Sequence, residues 1–156
     1  MAVQRGTAEY PDDDRPLTKK GIQKMRTAAK GIANLIQHAD LILTSPLTRA
    51  FDTAKIVAKA LGYKKKIEVC KELLPGNSPS TVIDYLSKCK NKKSVLIVGH
   101  EPDAGILAST LLGATKSIIV LKKGAVCRID VDKMPLNEPG KLIWHLTPKQ
   151  LRSLAK

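Results

Sequence analysis

Apolar positions along this chain follow two alternating rhythms. Short continuous apolar runs are separated by longer stretches in which apolar residues recur every three or four positions, the pattern of strands alternating with helices in an α/β sheet with helices on its faces. The stub Ala2-Val-Gln4 reads as the end of a first strand that is short at its amino end. After the acidic loop Tyr10-Pro-Asp-Asp-Asp-Arg15, Thr18 is placed to cap a helix, and Ile22, Met25, Ala29, Ile32 and Ile36 form its apolar stripe. The run Asp40-Leu-Ile-Leu-Thr44 predicts a buried strand. Ser45 then reads as an N-cap with Pro46 at the first helical position, where the missing N–H costs nothing. Leu47, Ala50, Ala54, Val57 and Leu61 make the buried face of that helix, and Gly62 ends it.

The second half repeats the theme. A third strand is predicted at Lys66-Ile-Glu-Val69, and the loop Leu74-Pro-Gly-Asn-Ser-Pro79 precedes a helix over residues 80–88. Ser94-Val-Leu-Ile-Val98 is the strongest strand in the chain, continuously apolar and so expected to be buried on both faces. It runs into Gly99-His-Glu-Pro102, and the next helix, through Ile106, Leu107, Thr110 and Leu111, ends at Gly113. Residues 125–131 and 141–146 read as two further strands, residues 118–121 are open between strand and connector, and a short helix follows Thr147-Pro148.

Composition narrows the function classes. The 156 residues are 43% apolar and 26% charged, a balance that buries a real core and fits one compact domain. No apolar run is long enough to span a membrane, residues 1–10 lack a signal-peptide core, and the cytoplasm is the expected location. Cys70, Cys89 and Cys127 are odd in number and form no metal-type pair, so they read as reduced structural thiols. The 27 basic and 14 acidic residues give a net charge of +13, a field that attracts polyanions. With one Trp, three Tyr and one Phe there is no stacking platform for bases, so a specific nucleic-acid role is not expected.

Ligands of open α/β sheets collect outside the carboxyl ends of the strands. Three segments put polar residues there: Gln4-Arg5-Gly6-Thr7, Ser45-Pro-Leu-Thr-Arg49 and Gly99-His100-Glu101. Arg49 falls in the first turn of a helix, where free N–H groups and the positive dipole end already favour an anion. Guanidinium forks match phosphoryl oxygens bidentately, so converging arginines describe a phosphate pocket. The local pattern leaves other readings open. Arg15 has an ion pair with Asp12, Asp13 or Asp14 within reach, Arg49 suits a solvated helix position, and His100 suits a structural histidine. His38, at a helix end, and His145, within a strand, read as structural, and no metal site or cofactor is expected.

In their order along the chain, Arg5-Gly-Thr-Ala-Glu9, Asp14-Arg-Pro-Leu-Thr-Lys-Lys-Gly21, Leu43-Thr-Ser-Pro-Leu-Thr-Arg-Ala50, Val95-Leu-Ile-Val-Gly-His-Glu-Pro102 and Trp144-His-Leu-Thr-Pro148 resemble the histidine phosphatase superfamily, and most closely its SixA-type phosphohistidine phosphatase branch. The resemblance implies one histidine-phosphatase-like domain over residues 1–156. Its fold would be a phosphoglycerate mutase-like three-layer sandwich, with a mostly parallel central sheet and helices on both faces. It also implies a phosphoryl-transfer site. In the family an Arg-His-Gly triplet supplies a nucleophilic histidine, and arginines with a second histidine neutralise the equatorial oxygens. Arg49 and His100 match two of those positions, and Arg15 matches a further arginine of the small branch. Fixed cations of this kind lower the barrier because charge spreads over three oxygens in the transition state. Glu101 and Glu72 are the candidate proton donors.

One departure changes the expectation. Without a gap, Gln4 lies on the triplet's arginine and Arg5 on its nucleophile; with a gap, Arg5 is the motif arginine and the histidine is absent. There is no histidine before His38. An arginine stays protonated and has no lone pair to attack phosphorus, though it can hold a phosphoryl group. Two readings follow: a SixA-like phosphatase impaired at position 5, or a catalytically inactive anion-binding module using Gln4, Arg5, Arg15, Arg49 and His100. A basic nucleic-acid-binding protein is the third. The expected partners are a phosphorylated protein or small phosphoryl substrate, with inorganic phosphate or sulfate in the pocket, and no membrane.

Overall fold

A computed structural model describes residues 2–4 and 11–155 of the chain. Helix α1 (Lys19–Leu35) starts where Thr18 accepts a hydrogen bond from the Gly21 N–H at 3.0 Å, and it buries Met25, Ala29 and Ile32 as the spacing predicts. Strand β1 (Leu41–Thr44) is buried throughout. Helix α2 (Thr48–Ala60) begins later than Ser45 and Pro46 suggest: Leu47 is its N-cap and no side chain caps it. Ser45 is used elsewhere, as shown below. At the other end Gly62 adopts a φ of +62°, the left-handed stop that glycine takes without steric cost.

Strand β2 (Glu68–Val69) is only two residues long and exposed. Helix α3 (Pro79–Lys88) is capped by Ser78, strand β3 (Val95–Val98) follows, and helix α4 (Asp103–Leu111) ends before Gly113 at φ +77°. Strands β4 (Val126–Asp130) and β5 (Lys141–Leu146) lead to helix α5 (Pro148–Ser153), which has a full capping box between Thr147 and Gln150. Residues 118–121 form no strand. The buried Ser109 hydroxyl fixes that connector by accepting the N–H groups of Ile118 and Ile119 at 2.9 and 3.0 Å. No helix among the described residues is long and apolar enough to cross a membrane.

Strands β2, β1 and β3 form a parallel sheet in that order, with Leu41 opposite Val95 and Thr44 opposite Val98. The period of two then sorts the side chains into layers. Leu41, Leu43, Val95 and Ile97 pack on the α3–α4 side with Val82 and Leu107. Ile42, Leu96 and Val98 pack on the other side, where Ala54 and Ala58 of α2 meet Ile42. Helices therefore cover both faces, and the α/β sandwich is as expected. The α1–α5 contact is close enough to demand glycine: a Cβ at Gly31 would lie 1.9 Å from the Leu151 carbonyl oxygen.

Two expectations are corrected. Residues 2–4 do not end a strand of the sheet; Ala2 makes an isolated antiparallel bridge to Leu17, with the Val3 N–H donating to the Pro16 carbonyl at 2.9 Å. And β3 is half-buried rather than enclosed. Among the described residues it pairs with β1 alone, while β4 and β5 form a separate antiparallel pair.

Candidate active site

The carboxyl ends of β1 and β3 lie side by side because the strands are parallel and in register, and this brings Ser45 and His100 together. The Ser45 hydroxyl and His100 Nε2 are 2.8 Å apart. Ser45 is fully buried, its own N–H is bound to the Val98 carbonyl at 2.9 Å, and its Oγ accepts the Leu47 N–H at 3.4 Å. The serine fixes the ring instead of capping the helix, which is why α2 starts late. The His100 carbonyl in turn accepts the Ala104 N–H at 2.7 Å, tying the histidine to the first turn of α4.

Arg49 and Arg15 converge through Asp12. Arg49 stands second in α2, at an end that no side chain caps. Its Nη1 donates to the Asp12 carbonyl at 2.8 Å, and its Nη2 is 3.8 Å from the Asp12 carboxylate. Arg15, 7% exposed, pairs with the other oxygen of that carboxylate at 2.8 Å and donates from Nη1 to the Val3 carbonyl at 2.6 Å. Its buried Nε has no hydrogen-bond partner among the described residues. So the ion pair that the sequence offered for Arg15 exists, with Asp12 as the partner, and the same carboxylate reaches Arg49.

The electrostatics are specific. Burial, then the Arg49 charge, pushes the His100 pKa down to about 4, against weaker opposition from Asp103 and Asp12. The imidazole is therefore neutral at pH 7, and Arg49 is close enough to act on it. Arg49 and Arg15 carry the fixed charge of the corner, and His100 is the uncharged ring beside Arg49.

The two candidate carboxylic acids differ in place. Glu72 lines the same cavity as His100 and Asp103. Its pKa is lowered by a backbone N–H and by the Cys70 thiol, which donates to Oε2 at 3.2 Å. Burial, then that hydrogen bond, pushes Cys70 up to about 12, so it stays a thiol. Glu101 is exposed and bonded to the backbone of Leu121 and Gly105, with burial as the main cause of its raised pKa. Gln4 is exposed, and Arg5 lies outside the described residues. Sequence reasoning missed Asp12 as a bridge and Ser45 as the partner of His100. The signal for Ser45 was present, since one hydroxyl at a strand end serves either a cap or a neighbouring strand end. No group of three or more His, Cys, Asp or Glu among the described residues is arranged to hold a metal ion.

Comparison with known proteins agrees with this picture. Residues 5–74 match the family model of the histidine phosphatase superfamily, branch 1. An uncharacterized protein of Picosynechococcus sp. is 36% identical over 92% of this chain and 90% of its own length. A phosphohistidine phosphatase SixA homolog of Haemophilus influenzae is 38% identical over 54% of each chain. The solved structure of the protein histidine phosphatase SixA complexed with tungstate superposes with a TM-score of 0.84 at 27% identity, covering 97% of this chain and 94% of that one. With its parallel sheet, its paired strand ends and these relatives, the chain belongs to the histidine phosphatase superfamily, in the SixA-type branch.

Proposed function

We propose that this chain grips a phosphoryl group, or a tetrahedral mimic of one, in the corner between Arg15, Arg49 and His100, and that its hydrolysis of phosphohistidine is impaired at position 5. The observation that carries the reading is the pairing of His100 with Ser45 beside Arg49, whose charge helps hold the ring neutral. Arg49 supplies a bidentate fork at an uncapped helix end, and Arg15 adds a second guanidinium through the shared Asp12. The relative solved with tungstate supports an oxyanion as the ligand class. We read residues 1–156 as one such domain.

The roles are these. Arg49 and Arg15 neutralise the phosphoryl oxygens, and His100 takes up a proton as the dianion enters. Gln4 and Arg5 are further candidates for binding the anion on the strength of the sequence, Arg5 lying outside the described residues. Glu72, lining the cavity with His100, and Glu101 are the candidate donors to a leaving group. What is lacking is a nucleophile: arginine at position 5 has no lone pair to attack phosphorus, so the reading is an anion-binding fold with residual turnover at most.

Two measurements test this. Sulfate is expected to raise the melting temperature of the chain, and Arg49→Ala to remove the rise; an equal rise in both proteins contradicts the pocket and indicates diffuse surface binding. Hydrolysis of an aryl phosphate or a phosphohistidine peptide is expected to be slight, and Arg5→His to increase it at least tenfold. Strong turnover by the unaltered chain overturns the impaired reading.

A further inference from the structure

Opposite the anion corner, the amino ends of the parallel strands carry a second feature. Residues that precede the strands of a parallel sheet share one end of it, and residues that follow them share the other. Two lysine-rich loops meet at the first end, Lys64-Lys-Lys66 ahead of β2 and Lys88 to Lys93 ahead of β3. Asp40, just before β1, joins them. Its carboxylate accepts the N–H groups of Lys93 and Ser94 at 2.9 and 3.1 Å, and its carbonyl accepts the Lys65 ammonium at 3.2 Å. Those two N–H groups hold the Asp40 carboxyl below its usual pKa, with smaller help from His38 and Lys65. Asn91 turns the second loop at a φ of +64°, a conformation asparagine reaches more readily than most residues, and it separates Lys90 from Lys92.

A pocket of about 410 Å³ opens among these lysines. Leu41, Tyr85 and Cys89, buried or half-buried, line its inner side, and the exposed Lys88, Lys90 and Lys92 form its rim. Its one carboxylate, Glu68, accepts the Tyr85 hydroxyl at 3.3 Å. Two lysines of the face serve the fold itself: Lys65 binds the Asp40 carbonyl, and Lys88 stands in the last turn of α3, where a cation suits the dipole. Lys64, Lys66, Lys90, Lys92 and Lys93 are exposed, and among the described residues none of them forms a salt bridge. Like charges gathered this way repel one another and work against the compact state, a cost that an anionic partner offsets.

The pocket separates the candidate polyanions. A lipid surface is flat and leaves the recess empty. A nucleic acid backbone meets the lysines but sets phosphate against Glu68 and leaves Leu41 and Tyr85 uncovered. An acidic peptide covers them with one apolar side chain, places carboxylates on the rim, and has backbone N–H groups to donate to Glu68. We infer that the lysine face at the amino ends of β1, β2 and β3 is a docking surface for an acidic segment of a partner protein. One apolar side chain of that segment enters the pocket, and its carboxylates lie on Lys88, Lys90 and Lys92. Five residue steps along β1, about 16 Å, separate Asp40 from Ser45, so a docked partner leaves the anion corner open.

The test uses an amidated peptide, Glu-Asp-Glu-Leu-Asp-Glu-Asp, labelled with fluorescein at its amino end, and the same peptide with serine in place of leucine. Anisotropy is read at about 0.15 M ionic strength, where exposed charges act over about 8 Å. The leucine peptide is expected to bind at least fivefold more tightly than the serine peptide. Lys88→Glu, Lys90→Glu and Lys92→Glu together are expected to weaken it at least tenfold. The same charge change at Lys116→Glu, Lys122→Glu and Lys123→Glu is expected to alter it by less than twofold. Arg49→Ala is expected to keep the peptide while losing the response to sulfate, so the face and the corner fail separately. Equal weakening by the two triple variants overturns the proposal and indicates diffuse attraction, and so does equal or absent binding of the two peptides. Tighter binding of a single-stranded oligonucleotide or of phosphatidylserine vesicles, lost in the first triple variant, overturns it in favour of a nucleic acid or a membrane. If that variant does not fold, the two peptides still decide the matter.

Discussion

Strands β1 and β3 are near twins in sequence, Leu-Ile-Leu-Thr against Val-Leu-Ile-Val, parallel and in register, yet they live in different surroundings. Ile42 on β1 is 0% exposed, whereas every residue of β3 is half-buried. The cause is their neighbours: β1 has a strand on each edge and helices over both faces, while among the described residues β3 has only β1 beside it and lines a cavity. Apolar content reports what a strand tolerates, and topology decides how much water it loses. The candidate site straddles the difference, with Ser45 held at the end of the enclosed strand and His100 at the end of the open one.

The largest expected effect tests that contrast by truncation. Ile42→Ala removes side-chain atoms packed against Ala54 and Ala58 and is expected to cost about 3 to 4 kcal/mol, while Ile97→Ala, beside the cavity, is expected to cost about 1 to 2 kcal/mol. Urea unfolding of both variants measures the gap, and equal losses would show that β3 is as well packed as β1.

A smaller effect concerns pH, and two slopes of opposite sign are expected from one histidine. Folding buries a neutral His100 with its pKa lowered from 6.5 to about 4, so the unfolded chain binds more protons between those values. This histidine's contribution to stability is then complete above pH 6.5 and falls as the pH drops toward 4. Sulfate, which keeps its double charge over this range, raises the bound-state pKa, so its affinity is expected to increase as the pH falls from 7 toward 4 and to level off below. Calorimetric titration at several pH values, with His100→Gln as the reference, checks the sign. An affinity independent of pH would mean that His100 does not meet the anion.

The smallest expected effect is at Asp12. Its carboxylate spans both arginines but is partly solvated, so its competition with an incoming anion is worth about 1 kcal/mol at most. Asp12→Ala is therefore expected to tighten sulfate binding by up to about fivefold, and a weakening would show that Asp12 chiefly holds the arginines in place.

Much of this molecule was legible in the sequence, for reasons that differ by element. The α1 stripe, the β1 run and the Gly62 and Gly113 stops are local signals, and they appear where spacing and steric cost put them. Arg49 and His100 were legible as candidates because strand ends are where polar residues become available for chemistry, whereas Arg15 and Glu72 entered only with the family resemblance. Three things were not legible. The use of Ser45 depends on which strand lies beside β1, a long-range fact that moved the start of α2 to Thr48. The bridge of residues 2–4 to Leu17, in place of a sheet strand, depends on a pairing that no local pattern encodes. The neutrality of His100 depends on burial and on Arg49, which no single stretch of sequence brings together.

The most direct test of the central claim is a crystal structure with tungstate, located by its strong anomalous scattering. One tungstate is expected in the corner, its oxygens within hydrogen-bonding distance, about 2.7 to 3.2 Å, of the Arg49 guanidinium and beside the His100 imidazole. Tungstate bound only to surface lysines, with that corner unchanged, would contradict the account.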